Sequence, residues 1–398
     1  MDIVNKSQNK ERSVVSRLWN NKDARSVIIQ ILTIALVFAA LSIILHNITV
    51  NLAAIGKDFS FDFLGHTAGY DITFSPFLDY TSSSTHFEAA IVGLLNTLLI
   101  AFCGIILATI IGFIFGIMRL SNNWLINKIA YCFVEFTRNV PILLHILFIH
   151  GIVIQLPVPR QAVNFIDSFF LTNRGLFIPR PEWGPNSWIV GLCFIISIAI
   201  VIILRTWNKK RQEQTGVIYP IFWISISIIV LFTLGSFFLT GMPLTWSVPE
   251  LRGFNFRGGV SVRPEFVALW LALSYYTASF IAEIVRSGIL AISKGQNEAA
   301  GALGLTKSRT LQLIIIPQAM RIIIPPLASQ YLNLTKNSSL AIAIGYMDLV
   351  ATIGGISLMQ TGKEMETMII VLLTYLVISL IISAFMNWYN RATALVER

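Results

Sequence analysis

Four ionisable side chains stand inside otherwise apolar stretches, in two sets of one spacing: Glu135-Phe-Thr-Arg138 and Glu283-Ile-Val-Arg286. A charge at the centre of a bilayer costs about 2.5–3.5 kcal/mol on insertion scales, so such residues are rarely idle. Glu and Arg three apart share a helix face and partly neutralise each other. Two uses fit: a charged network that closes an inner gate, or a static brace between helices. Pro141, three residues after Arg138, should break or kink its span. A third polar stretch is Gln330-Tyr-Leu-Asn333-Leu-Thr335-Lys336-Asn337-Ser338-Ser339, after Pro325-Pro326. The paired prolines predict a broken helix, tolerated in a membrane only beside protein or a wet cavity. Asn333, Thr335, Asn337 and Ser338 could line a polar path, or simply join helices through amide and hydroxyl bonds. Lys336 lies on that path, pairs with an acid, or snorkels outward.

Other chemistry is missing. No phosphate-binding G-x-x-x-x-G-K-[ST] loop occurs, and the Gly-Lys pair Gly362-Lys363 is followed by Glu. The chain is therefore not expected to hydrolyse ATP. Cys103, Cys132 and Cys193 lie far apart in apolar runs and read as buried packing residues; His145 and His150 are badly spaced for joint metal ligation. No metal site is expected, and nothing arranges a nucleophile with a base.

The elements that must position these groups are membrane spans. The 398 residues are 55% apolar, with mean hydropathy +0.72, outside the range of a soluble domain. A hydrocarbon core needs about 20 apolar residues per helix. Runs at 27–45, 87–118, 126–156, 188–205, 217–239, 265–292, 310–340 and 367–388 qualify, giving an all-α polytopic protein of about eight helices. The first run reads as a retained anchor, because its leading segment is long and contains acids.

Between two spans lies a polar segment, Ser293 to Pro317. Ser293 and Gln296 have capping-box spacing, Glu298 falls in the first turn, Gly304 suits a left-handed cap, and Thr306 can cap a following helix. About two turns of helix result, too short to be stable alone in water. Glu298-Ala299-Ala300, Gly304, Ile314 and Pro317 carry the spacing of the EAA loop of bacterial ATP-binding-cassette importer permeases, and the chain resembles that family; Ile316 stands where Leu is usual. Glu135-Phe-Thr-Arg138-Asn-Val-Pro141, and Tyr276 through Gly288, resemble its polar amino-acid branch. The 330–349 segment and Asn387-Trp-Tyr-Asn390-Arg391 resemble the first of the two permease subunits of a general L-amino-acid importer, over most of 87–398.

The resemblance implies a type I importer core of five helices at 87–156 and 264–390, plus an N-terminal helix and a two-helix insertion at 157–263. Three parts follow: 1–86, a basic tail, anchor and external loop; 87–390, the permease domain with its insertion; and 391–398, a cytoplasmic tail. It also implies partners: a second similar permease, two ATPase copies that bind ATP and magnesium, a periplasmic solute-binding protein, an L-amino-acid substrate and the bilayer. No cofactor is expected on this chain, and no nucleic acid. Glu298, Ala299, Ala300, Gly304 and Pro317 would couple to the ATPase; the 330–339 polar groups would meet the zwitterionic head of the substrate.

Lys and Arg placement puts both termini in the cytoplasm, and the resemblance implies a bacterial inner membrane: Lys6, Lys10, Arg12, Arg17, Lys22 and Arg25, the Arg205–Arg211 basic turn, and Lys294, Lys307 and Arg309 all fall inside. Inserting two spans preserves the sidedness of the 293–317 loop. Two rivals are a secondary carrier, which would tolerate Gly304→Pro, and a membrane sensor or scaffold that moves no solute.

Overall fold

The computed structural model describes residues 22–393 apart from Ile55, Asp167 and Ile218. Most of the basic N-terminal tail and the last five residues of the expected C-terminal tail lie outside that range. Among the described residues, helix α1 (Lys22–Ala54) leads to α2 (His86–Met118), then α3 (Trp124–Asn139) and α4 (Ile142–Ile154), which meet at a bend of 108°. The inserted pair is α5 (Ser187–Thr215) and α6 (Ile221–Leu239). Then come α7 (Pro264–Leu290), the short α8 (Lys294–Ala302), the single turn α9 (Lys307–Thr310), a π-helical turn over Leu311–Ile315, and α10 (Ile316–Asn337). A 3-10 segment (Ser338–Ile344), a π-helical segment (Val350–Ser357), α11 (Leu358–Thr361) and α12 (Glu364–Thr393) complete the chain. Helix α12 runs straight through the boundary expected at 390.

Helix α7 is the axis of the bundle: 61% of its most apolar window is buried, against 28% at most elsewhere. It packs along α2 because α2 presents small residues four apart, Gly104, Ala108, Gly112 and Gly116, all buried. A Cβ on Gly112 would sit 2.5 Å from Ile281 Cγ2, and one on Gly116 2.7 Å from Val285 Cβ. Small faces let membrane helices approach until backbone meets side chain, where van der Waals packing replaces the missing hydrophobic drive. Ser274 Oγ adds a bond to Gly104 O at 3.4 Å.

Three departures from the sequence reading have physical reasons. The basic Arg205–Arg211 segment is helical, since Arg, Lys and Gln are good helix formers; the turn comes at Gly216, in the left-handed region at φ 71°. Helix α10 passes through Pro325 and Pro326 unbroken, packed against α7 and α12, and the irregular turns lie at its two ends instead. The insertion also adds eight short strands to the helical bundle. Strands β1 (Val163–Ile166), β2 (Phe169–Thr172), β3 (Gly175–Ile178) and β8 (Val260–Val262) form one antiparallel sheet in that order. β4 (Arg180–Trp183) pairs with β5 (Leu244–Ser247), and β6 (Glu250–Arg252) with β7 (Asn255–Arg257). Strands before α5 thus pair with strands after α6, clamping the base of the inserted hairpin.

The loop before α2 is fastened to the core. Phe63 is buried, Tyr70 Oη donates to Thr352 O, and Asn96 Nδ2 bridges Phe74 O and Met347 O at 2.8 and 2.9 Å. Of the cysteines, Cys132 is exposed on α3 and the other two are half-buried, so α3 turns that face outward.

Candidate functional site

Pro141 lies at the bend. It caps α4 with φ −57° and ψ 137°, and Val140 before it is extended, as a residue preceding proline must be. Buried His145 holds the corner. Its Nε2–H donates to Thr137 O at 3.2 Å, and its Nδ1 accepts from Tyr275 Oη on α7. Neither partner was legible from the spacing of the histidines.

The two charged sets meet around a residue outside both. Arg119, just past the end of α2, reaches Glu283 at 2.5 Å and Glu135 at 4.0 Å, while Arg286 bonds Glu283 at 2.6 Å. Glu283 and Arg286 pair as their spacing predicts. Glu135 and Arg138 do not: Arg138 lies over the Phe280 ring, 5.3 Å from its centroid. Helix α3 therefore contributes one acid to a cluster shared with α2 and α7, and one cation to an aromatic face.

Phe280 also lines a polar cleft of about 260 Å³ between α7 and α10, with Tyr276, Thr277, Gln330, Asn333 and Asn337. The structure brings Asn333 and Asn337 together there and adds Gln330. Thr335 and Ser338 are placed elsewhere. Thr335 Oγ1 back-bonds to Tyr331 O at 2.8 Å, and Ser338 Oγ to Thr335 O at 2.7 Å, near Tyr375 Oη. Lys336 is exposed and has no ion pair among the described residues. The missed signal was periodic: 330, 333 and 337 share one helical face, and 335 falls on the opposite one.

Helix α8 stands outside the bundle. Ala300 is its one buried residue; Glu298 and Ala299 are exposed. Ser293 occupies the N-cap without a side-chain bond, and Glu298 is the fifth helical residue, past the first turn. The expected capping box is absent because Gln296 uses its side-chain oxygen to accept from Gln318 Nε2 of α10 at 3.2 Å. Gly304 adopts φ 73° just after the helix, and Leu305 N–H reaches back to Ala300 O at 3.1 Å. That pattern closes the helix end as only a residue tolerant of the left-handed region can. Thr306 takes the next N-cap position, with its carbonyl rather than its hydroxyl engaged by Thr310. Pro317 fits the first turn of α10, where a missing N–H costs nothing.

A bent span, a cleft at the bundle axis and a helix set outside it belong to the class of membrane permeases. Residues 213–395 match the family described as "Binding-protein-dependent transport system inner membrane component". The chain is 50% identical over 375 residues to the general L-amino acid transport system permease protein AapQ of Rhizobium johnstonii, covering 94% of this chain and 93% of that protein. It is 46% identical over 379 residues to the putative amino-acid ABC transporter permease protein YhdX of Escherichia coli K12, covering 95% and 96%. The chain belongs to the permease subunits of amino-acid ABC transporters. A shorter relative, the glutamate/aspartate import permease protein GltJ of Escherichia coli K12, is 28% identical; the match covers 95% of that protein but only 56% of this chain.

Proposed function

We propose that this subunit passes L-amino acids through the α7–α10 cleft and draws its power through α8 from ATP hydrolysed on another chain. One observation carries the reading: α10 bonds α8 at one end, through Gln318 and Gln296, and lines the cleft with Gln330, Asn333 and Asn337 toward the other. Gln318 and Asn333 are 15 residues apart, about 22 Å along a helix axis. A push on α8 is delivered to the wall of the cleft through one rigid rod.

The exposed side chains of Glu298 and Ala299, with Gly304 fixing the exit of the helix, form the surface offered to the ATPase. ATP and magnesium belong to that partner; this chain lacks a phosphate loop. A second permease completes the path, and a solute-binding protein loads it from outside. The charged cluster of Arg119, Glu135, Glu283 and Arg286 lies toward the cytoplasmic end. Lys and Arg placement supports cytoplasmic termini, and the family's description supports the inner membrane. The names of the relatives, general L-amino acid among them, support the substrate class.

Reconstituted with its partners, the complex should accumulate amino acids only with ATP. Gly304→Pro, whose fixed φ cannot reach 73°, should abolish uptake while the subunit still inserts. Full uptake by that variant, or by this chain alone, overturns the proposal.

A further inference from the structure

The loops flanking the inserted hairpin, residues 157–186 and 240–263, hold six arginines, three acids and no lysine. On the external side that composition is anomalous, because basic residues are normally retained in cytoplasmic loops. Lysine obeys the rule in these loops and arginine breaks it. The placement therefore answers to what arginine does and lysine does not: a rigid fork that grips carboxylates at two points.

Most of these forks grip no carboxylate among the described residues. Arg252 pairs with Glu250 at 3.0 Å, but Arg160, Arg174, Arg180, Arg257 and Arg263 have no carboxylate partner among the described residues. Arg174 and Arg263 line a pocket of about 440 Å³ with Asn173, Asn255, Ser261 and Glu265, where the strand module joins α7. Each is anchored through one nitrogen: Arg174 Nη1 donates to Phe254 O at 3.0 Å, and Arg263 Nε to Thr73 O at 3.2 Å. Phe254 is itself 73% exposed, with the Arg160 guanidinium 4.7 Å from its ring centroid. Arginine beside an exposed aromatic ring is the composition of an interface centre. The 56% of this chain matched by the shorter relative shows that permeases exist without much of this length. An added module serves something beyond the common core.

We propose that the strand module of the insertion is a docking face for an acidic protein surface, with an acidic side chain seated between Arg174 and Arg263. Its partner is the solute-binding protein, and this inference rests on the transport reading and orientation given above. The basic field steers the encounter, and the pocket fixes register.

The test uses the whole reconstituted complex with purified binding protein, reading stimulated ATPase against binding-protein concentration. In the wild type the half-saturating concentration should rise steeply with salt. Arg174→Glu and Arg263→Glu together should raise it at least tenfold, and Arg174→Gln alone should raise it several-fold, with basal ATPase and the maximum at saturation unchanged. Unchanged half-saturation in both variants overturns the inference. So does a shift confined to the free amino-acid concentration needed for uptake, which would make the pocket a solute site. A wild-type complex that hydrolyses ATP but never responds to binding protein overturns the transport reading, and this inference with it.

Discussion

Arg119 and Glu283 meet at 2.5 Å, joining the end of α2 to α7 two turns before its own end. The arginine side chain is only 10% exposed, and it also stands 4.0 Å from Glu135. Removing it by Arg119→Ala strips Glu135 of its only ion-pair partner among the described residues and leaves Glu283 to Arg286 alone. The expected cost is below the about 3–5 kcal/mol of a fully buried broken pair, because Glu283 keeps one partner. Arg119→Lys should not rescue it, since a point charge cannot span two carboxylates. The variant also separates the two uses of the cluster. A brace predicts that Tm and uptake fall together. A gate predicts near-normal Tm with ATP hydrolysis no longer matched by transport.

The seam between α2 and α7 yields a sharper stability prediction. Gly112 and Gly116 face Ile281 and Val285 at distances no Cβ can share. Gly112→Ala should cost about 1–3 kcal/mol through overpacking, and Gly116→Val more. Thermal unfolding in detergent measures both. A second change, Ile281→Ala in the Gly112→Ala background, should return part of the loss by vacating the contested space.

Much of this architecture was legible before any coordinates. Every span was visible as a long apolar run, the bend followed from Pro141, and the left-handed turn after α8 followed from Gly304. What escaped depended on distance in sequence or on phase. Arg119 lies 164 residues from Glu283, and nothing local marks it as more than a loop charge. The prolines of α10 were read by their local penalty, whereas packing against neighbouring helices absorbs it. The strands are three or four residues each, too short for alternation to register, and β3–β8 and β4–β5 pair across an intervening helical hairpin. Thr335 and Ser338 were grouped with Asn333 by composition, although helical phase separates them.

The strap after α1 predicts a pH response. Lys57 Nζ bonds the Glu364 carboxylate at 2.9 Å and Gly362 O at 3.0 Å, while Lys363 Nζ bonds Asp58 O at 2.6 Å and its Oδ1 at 3.2 Å. The Lys363 ammonium holds the Asp58 carboxyl below its usual range. A depressed carboxyl contributes stability above its unfolded pKa, and that contribution is lost as pH falls through the folded one. The strap should therefore stay closed from pH 8 to 5 and loosen only below about pH 4. Asp58 is exposed, so the effect should be small and screened by salt. Amide exchange across residues 56–66 reads it, and Asp58→Asn should flatten the acid response. Loosening between pH 8 and 5 would assign the strap to a different group.

Asn333 tests the cleft itself. It shares a face of α10 with Gln330 and Asn337, opposite Tyr276, Thr277 and Phe280. An amide that bonds a polar solute discriminates against an analogue that cannot bond it, because the amide is then left unpaired in the closed path. Asn333→Leu should therefore raise the half-saturating amino-acid concentration for uptake about tenfold or more, the equivalent of about 1.4 kcal/mol. It should do so unequally across side chains, since the altered wall contacts some solutes more than others. Thr335→Val, on the far side of the same helix, should leave the ranking of amino acids unchanged. Were Thr335→Val to reorder that ranking while Asn333→Leu did not, the solute path would have to run along the opposite face of α10, between α2 and α12.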